Sequence, residues 1–153
     1  MIKNGIYAAG LSILKKDMSL DVEATITHAE SIIKNGLHGV FFFGSTGQSQ
    51  LISISEKKEL ISKTATSKFR DQFYMGTGVN SLNDNLDLIR YSMEYGFQTF
   101  LIMPPAYYKG NTDEGVYNFY AEIIVRVPKI KIILYNFEKL SGCLLYTSPS
   151  PRD

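Results

Sequence analysis

Short apolar runs alternate along the chain with longer stretches in which apolar residues recur every three or four positions. Five of the short runs predict β-strands, at residues 5–9, 39–43, 73–76, 99–103 and 131–135. These runs are nearly continuous, whereas a half-exposed strand would alternate apolar and polar positions. The pattern is typical of strands in a parallel sheet that is covered on both faces.

Four helices are predicted between the strands, each from an apolar stripe spaced for 3.6 residues per turn. The stripes are Val22, Ile26, Ala29 and Ile33 in the first helix; Leu60, Ile61, Thr64 and Ala65 in the second; Leu82, Leu86, Ile89 and Met93 in the third; and Val116, Phe119, Ile123 and Val127 in the fourth. Ser53 and Glu56 have the spacing of a capping box at the start of the second helix. Gly36 and Gly96 stand where the first and third helices should end, since a left-handed C-cap favours glycine.

The predicted elements alternate, strand then helix, up to a fifth strand, which indicates an α/β protein with right-handed crossovers. Two architectures satisfy this order: an open doubly wound sheet, and the N-terminal part of a (β/α)8 barrel, or TIM barrel. The pattern alone does not separate them. Both place functional groups at the C-terminal ends of the strands, so candidate site residues are expected there.

Composition narrows the classes of function. The chain has 153 residues, 44% of them hydrophobic, and a formal net charge of +1, which indicates a globular unit and excludes a disordered chain. The balanced charge predicts no binding to nucleic acid or to an anionic membrane. No apolar run approaches the ~20 residues of a membrane span, and no long apolar stretch follows the N-terminus as in a secretory signal. We therefore expect a cytoplasmic protein.

The sequence offers no metal site. Cys143 is the single cysteine and cannot form an internal disulfide. His28 and His38 have no partner at a spacing typical of metal ligands, so both are expected to be structural or solvated. No metal and no cofactor are predicted.

Small and hydroxyl-bearing residues follow several predicted strands. Residues 44–47 (Gly-Ser-Thr-Gly) follow the second strand and could contact a small anion, although an ordinary loop before a helix has the same composition. Residues 76–80 (Gly-Thr-Gly-Val-Asn) follow the third strand and lack the spacing of a nucleotide-binding motif. Residues 103–108 (Met-Pro-Pro-Ala-Tyr-Tyr) follow the fourth strand, and Tyr135 ends the fifth. Tyrosines at such places are either packing residues or members of a site.

Together these motifs, with Ser141-Gly142 after Tyr135-Asn136, resemble in order and spacing the dihydrodipicolinate synthase and N-acetylneuraminate lyase superfamily. The resemblance covers residues 5–142 and implies a TIM barrel, truncated here to about the first five strands and four helices. Residues 1–142 would be the N-terminal part of one barrel domain. The implied activity is that of a class I aldolase or lyase. Such an enzyme forms a Schiff base between pyruvate and a lysine on the sixth strand, then makes or breaks a carbon–carbon bond with an aldehyde or a sugar acid.

The resemblance also implies roles for individual residues. Ser45 and Thr46 would contact the pyruvate carboxylate and relay protons. Tyr135 would act as general acid and base beside the imine, and Tyr108 would complete a hydroxyl relay in the site of a neighbouring subunit. Neutral hydroxyls can pass a proton without placing a fixed charge beside the imine. Through the role it gives Tyr108, the resemblance also implies a homo-oligomer, built as a dimer of dimers, for the full-length protein.

Several positions depart from the family pattern. Gln48 replaces a glutamate, residues 8–9 (Ala-Ala) replace Thr-Pro, and Glu138 replaces a proline. Leu140 replaces the arginine that holds the carboxylate of aspartate semialdehyde in the dihydrodipicolinate synthase branch, and leucine cannot supply that charge. The lyase branch accepts Leu-Ser-Gly at this place, so the resemblance favours an acceptor other than aspartate semialdehyde.

The family lysine should lie about 25–30 residues beyond Tyr135, one βα step further, and the chain as written ends before it. Lys139 falls in the loop after the fifth strand and is not a substitute. Residues 143–153 break the pattern and resemble translated adapter read-through, with a genuine disordered tail as the alternative. We expect the chain itself to be inactive, and insoluble or only partly folded, because an unclosed sheet leaves its edges and apolar faces uncovered.

Two other functions stay open at this point. The full protein could be a non-catalytic or regulatory barrel of the same fold, in which case the lysine at the end of the sixth strand would be missing. An open-sheet module that binds phosphate through residues 44–47 would instead be stabilised by phosphate.

Overall fold

A computed structural model describes residues 4–142 of the chain. One parallel sheet contains five strands: β1 (Tyr7–Ala9), β2 (Gly39–Phe42), β3 (Phe73–Gly76), β4 (Thr99–Ile102) and β5 (Lys131–Leu134). The helices are α1 (Val22–Lys34), α2 (Ile54–Thr64), α3 (Leu82–Glu94), α4 (Asp113–Arg126) and a short α5 (Glu138–Ser141). All five predicted strands and all four predicted helices are confirmed, and α5 is an addition. Cys143 and the proposed read-through at 143–153 lie outside the described residues.

The strand order separates the two candidate architectures. The strands lie in the order β1-β2-β3-β4-β5, and each pair of neighbours is parallel. In a doubly wound sheet the first strand lies inside the sheet and the order reverses around it. A consecutive order belongs to the wall of a barrel, so the predicted TIM-barrel architecture is confirmed for these five strands and the doubly wound sheet is excluded.

The sheet is covered on one face by the helices. Six strand residues that alternate along β2, β3 and β4 are at most 3% exposed and belong to the main core: Val40, Phe42, Phe73, Met75, Phe100 and Ile102. The residues between them point to the opposite face, where Phe41, Tyr74 and Leu101 are half-buried. Phe41 and Tyr74 stack with ring centroids 5.0 Å apart. The strands were predicted to be buried on both faces. In β2, β3 and β4 of the described sheet the face toward the helices is fully buried, and the opposite face is half-buried.

The predicted helix ends are confirmed in detail. The Ser53 side chain accepts from the Glu56 backbone N–H, and the Glu56 carboxylate accepts from the Ser53 backbone N–H at 2.9 Å, which completes the capping box. Gly36 and Gly96 have φ values of 97° and 84°, as left-handed C-caps require. No helix among residues 4–142 is long and apolar enough to cross a membrane.

Candidate active site

A cleft of about 250 Å³ lies where the C-terminal ends of the strands meet. Its walls come mainly from the segments that follow β2, β3, β4 and β5, as parallel strands deliver their carboxyl ends to one edge of the sheet. The cleft is lined by Phe43, Gly44, Ser45, Gln48, Ser49, Gln50, Leu51, Gly78, Leu101, Met103, Ala106, Tyr135 and Leu140. Every polar side chain in this lining is a hydroxyl or an amide, so the described part of the cleft is neutral.

Two of the predicted site residues meet in this cleft. The Ser45 Oγ and the Tyr135 hydroxyl oxygen are 2.6 Å apart, a hydrogen-bond distance in which either group can donate. Ninety residues of chain separate them, so the contact is produced by the fold. Tyr135 is held at the end of β5 because its backbone N–H donates to the Ile102 carbonyl at 2.9 Å. A phenol and a hydroxyl in this geometry can pass a proton between them.

The loop that carries Ser45 is held in a constrained conformation. Phe43 and Gln48, on either side of Ser45, have φ values of 58° and 50°, which residues other than glycine rarely adopt. The Ser12 hydroxyl donates to the Gly47 carbonyl at 2.6 Å. A Cβ atom at Gly47 would lie 2.8 Å from the Gly10 carbonyl oxygen, so glycine permits this close approach.

The loop after β3 packs directly against the loop after β2. A Cβ atom at Gly76 would lie 2.7 Å from the Phe42 carbonyl oxygen, and one at Gly78 would lie 2.3 Å from the Ser49 Cβ. The Gln50 side-chain amide donates to the Gly78 carbonyl at 3.0 Å. The glycines after β3 therefore serve backbone packing beside the cleft, and the sequence pattern had shown only that they do not form a nucleotide motif.

The loop after β4 is tied to the same cluster. The Asn80 carboxamide oxygen accepts from the Ala106 backbone N–H at 2.9 Å. The Asn111 side-chain amide donates to the carbonyls of Pro105 and Tyr108, both at 3.1 Å. These contacts fix the Pro-Pro-Ala-Tyr-Tyr segment against the wall of the cleft.

Thr46 and Tyr108 do not line the cleft. Thr46 is exposed and follows Ser45 directly. Tyr108 is 77% exposed, and its ring lies edge-to-face against Tyr107, which is 79% exposed, with centroids 5.2 Å apart. The predicted roles of these two residues therefore stay predictions. Leu140 does line the cleft, so the position that departs from the family arginine faces the same space as Tyr135.

No lysine or histidine among residues 4–142 lines the cleft. Lys139 is exposed on α5, and the Lys57 amine is buried behind the cleft, where it donates to the Thr77 and Gly78 carbonyls. The His38 Nδ1 accepts from the Ile6 backbone N–H at 3.0 Å. Within residues 4–142, no three metal-binding side chains gather in a group that could hold an ion.

Sequence reasoning missed Gln50, Lys57 and Asn80. Gln50 and Asn80 looked like ordinary loop residues, because nothing local predicts that their partners come from other loops. Lys57 did carry a signal: it precedes Leu60, Ile61 and Thr64 at helical spacing, which places a lysine on the buried stripe of α2.

Comparisons with known proteins agree with this geometry. The model of the dihydrodipicolinate synthetase family matches residues 3–149. The chain is 35% identical over 142 residues to the 4-hydroxy-tetrahydrodipicolinate synthase of Legionella pneumophila, covering 92% of this chain and 48% of that protein. It is 29% identical over 144 residues to the L-threo-3-deoxy-hexylosonate aldolase of Aspergillus niger, covering 89% and 43%.

A solved structure gives the same result. The dihydrodipicolinate synthase of Agrobacterium tumefaciens superposes with a TM-score of 0.86 at 27% identity, covering 94% of this chain and 51% of that one. The chain spans about half the length of the relatives it matches. The family model covers nearly the whole chain and the strand order agrees with it: the chain belongs to the dihydrodipicolinate synthetase family.

Proposed function

We propose that the full protein containing this chain is a pyruvate-dependent class I aldolase or lyase that works through a Schiff base. The observation that carries the proposal is the 2.6 Å contact between the Ser45 and Tyr135 hydroxyls inside a neutral cleft at the strand ends of a member of this family. The 4-hydroxy-tetrahydrodipicolinate synthase and the aldolase to which the chain is similar both fit a lyase reaction class.

The two hydroxyls suit the proton transfers of such a reaction. Forming and breaking an imine, and drawing a proton from the carbon next to it, need groups that both accept and donate protons. Tyr135 would exchange protons with the reacting groups, and Ser45 would share the proton through its hydrogen bond and contact the pyruvate carboxylate. Thr46, adjacent and exposed, would extend this relay. The lysine nucleophile would come from outside residues 4–142, because no residue that lines the described cleft is a lysine.

The acceptor is proposed to be an aldehyde or sugar acid of the lyase type. Leu140 faces the cleft, and the polar groups that line the same cleft include the amides of Gln48 and Gln50. Amides and hydroxyls hydrogen-bond to hydroxyl groups of a substrate, whereas a second carboxylate would call for a guanidinium. A Leu140→Arg variant should therefore gain activity toward aspartate semialdehyde and lose activity toward sugar acids, with pyruvate adduct formation unchanged.

Oligomerisation is part of the proposal. Tyr107 and Tyr108 form an exposed aromatic pair beside the cleft, and tyrosines in exposed patches are common at protein interfaces. A partner subunit seated there would receive Tyr108 and complete its hydroxyl relay. Sedimentation of the full protein, with a Tyr108→Ala variant, tests whether this pair supports assembly.

The test of the function begins with the gene. Reading the source gene beyond the codon for Gly142, with a gene-specific downstream primer, should reveal a sixth strand that ends in lysine. The full protein should then be trapped irreversibly by borohydride in the presence of pyruvate, and the 153-residue chain alone should not be. A Tyr135→Phe substitution should lower the rate of turnover by about 10²–10⁴-fold. Tyr74→Phe, on the inner face away from the cleft lining, is the control and should keep normal turnover.

The outcomes separate the candidates. Trapping by pyruvate supports the aldolase or lyase. A continuous reading frame without the strand-6 lysine, and no trapping, would replace it with the non-catalytic barrel. Trapping with full activity in Tyr135→Phe would keep the reaction class and remove Tyr135 from the relay.

A further inference from the structure

Lys57 is a buried cation that the proposed reaction does not use. It lies on α2 and is 0% exposed, although lysine is almost never fully buried without partners. Its Nζ donates to the Thr77 carbonyl at 3.0 Å and to the Gly78 carbonyl at 3.2 Å. It also lies 5.7 Å from the centroid of the Phe43 ring. Burying an ammonium group costs free energy unless hydrogen bonds or an opposite charge compensate it.

These contacts join the two loops that form the wall of the cleft. Thr77 and Gly78 belong to the loop after β3, and Phe43 is the first residue after β2, two residues before Ser45. The Gly78 carbonyl accepts from Gln50 as well as from Lys57. One side chain from the helix layer therefore contacts both loops from behind, on the side away from the cleft.

The surroundings of Lys57 are polar but nearly uncharged. Burial lowers the pKa of Lys57 to about 8, and Asp84, in the first turn of α3, acts in the opposite direction. Within residues 4–142, Asp84 is the charged group found to act on it. A neutral amine still has two N–H donors, enough for both carbonyls. Loss of the proton therefore leaves the contacts with Thr77 and Gly78 in place and removes the cost of burying a charge.

We propose that Lys57 is a positioning residue of the cleft, whose amine ties the loop after β3 to the end of β2 and so holds Ser45 against Tyr135. The catalytic consequence rests on the proposed function, but the structural role does not. Because Lys57 contacts backbone carbonyls and an aromatic ring, it would act on the reaction only through the loops it holds.

The test uses the full protein encoded by the gene, with Lys57→Met, Lys57→Arg and the control Lys58→Met. Lys58 is the next residue, partly exposed, and ion-paired with Asp87 at 2.8 Å. Amide hydrogen exchange at neutral pH reports on the loops through two backbone N–H groups. The Thr77 N–H donates to the Leu101 carbonyl, and the Ala106 N–H donates to the Asn80 side chain.

In Lys57→Met these two amides should exchange about tenfold faster or more, since the buried Thr77 carbonyl loses the Lys57 donor and the Gly78 carbonyl keeps only the Gln50 donor. Amides of α1 should be unchanged. Lys57→Arg, which keeps the donors, should recover part of the protection, and Lys58→Met should match the wild type. The rate of pyruvate adduct formation should fall in Lys57→Met with less change in pyruvate affinity.

Two results would overturn the proposal. The first is a folded Lys57→Met protein whose Thr77 and Ala106 amides exchange at the wild-type rate. The second is faster exchange throughout the protein in Lys57→Met, α1 included, which would make Lys57 a general stability residue. The exchange measurement needs no reaction, so a protein that never traps pyruvate would refute the proposed function and still decide the role of Lys57.

Discussion

The burial of Lys57 predicts that the stability of the fold rises with pH in a window where most proteins change little. The pKa of this lysine falls from 10.5 to about 8 because burial disfavours the ammonium. Between these two values the unfolded chain binds a proton that the folded chain has released. The free energy of unfolding therefore increases with pH, starting near pH 8, and the increase ends near the unfolded pKa.

The size of the effect follows from the two pKa values. At pH 9.5 roughly 97% of folded molecules would carry neutral Lys57, against roughly 9% of unfolded ones. Integrated from pH 7.5 to 9.5, this difference adds about 2 kcal/mol to the free energy of unfolding. Lys57 is fully buried, so solvent does not screen the effect.

Other groups set the upper limit of the window. Burial raises the pKa of Tyr74, and a hydrogen bond from Tyr91 raises that of Tyr95. Folded tyrosines with raised pKa values stabilise the fold below the unfolded value near 10, and this contribution is lost as pH rises above it. Measurements up to pH 9.5 stay below that loss. The contribution of these tyrosines is also the same in the wild type and in Lys57→Met, so it cancels when the two are compared.

Urea unfolding of the full protein, followed by far-ultraviolet circular dichroism at pH 7.5, 8.5 and 9.5, measures the effect. The wild type should gain about 2 kcal/mol relative to Lys57→Met across this range. Lys58→Met should keep the wild-type slope, because exposed ion pairs contribute little. Parallel curves for wild type and Lys57→Met would show that the buried ammonium keeps its ordinary pKa, and the reasoning about Lys57 burial would be wrong.

Three further predictions concern packing, capping and closure. Gly78→Ala should destabilise the full protein by about 2 kcal/mol or more in urea unfolding, because the added Cβ would meet Ser49. Gly36→Ala is the control: its backbone is also left-handed but the space around it is open, so it should cost only about 1 kcal/mol. Hydrogen bonds from Ser53 and Leu20 lower the pKa of Glu56, so the stability that the Glu56 carboxylate contributes should be lost as pH falls through that pKa. Glu56→Gln should flatten this acid dependence of the unfolding free energy, and an unchanged dependence would contradict the prediction. Expressed alone, residues 1–153 should sediment as aggregates; a soluble monomer that melts cooperatively would show that the open half-barrel is stable.

The sequence predicted the elements well because their signals are local. The stripe spacing, the Ser53–Glu56 capping box and Gly36 each depend on neighbours within one or two helical turns. The strand ends were less accurate: β2 stops at Phe42 because Phe43 turns to a φ of 58°, which nothing in an apolar run reveals. The choice between barrel and open sheet depended on which strands pair, and this is a long-range property of the fold.

Candidate site residues that stand at a strand end could be predicted from the sequence. Residues whose hydrogen-bond partners lie in another loop could not. Ser45 and Tyr135 stand directly after β2 and β5, where the family resemblance singled them out, and the fold brings their hydroxyls together. Gln50 and Asn80 were missed because their partners, Gly78 and Ala106, lie 28 and 26 residues away. Lys57 was missed because the buried stripe of a helix is predicted from its apolar residues, and a lysine on that stripe does not fit the pattern.

The proposed relay and the proposed acceptor contacts are held by different parts of the structure. Ser45 and Tyr135 follow strands of the sheet, and Tyr135 is hydrogen-bonded to β4. Leu140 lies on the four-residue α5, where the Lys109 side chain donates to its carbonyl. A short helical turn beyond the sheet can change its side chains without disturbing strand pairing, since few backbone contacts of the barrel depend on it. This separation gives a physical reason why a change at position 140 would alter the proposed acceptor while the Ser45–Tyr135 contact is kept.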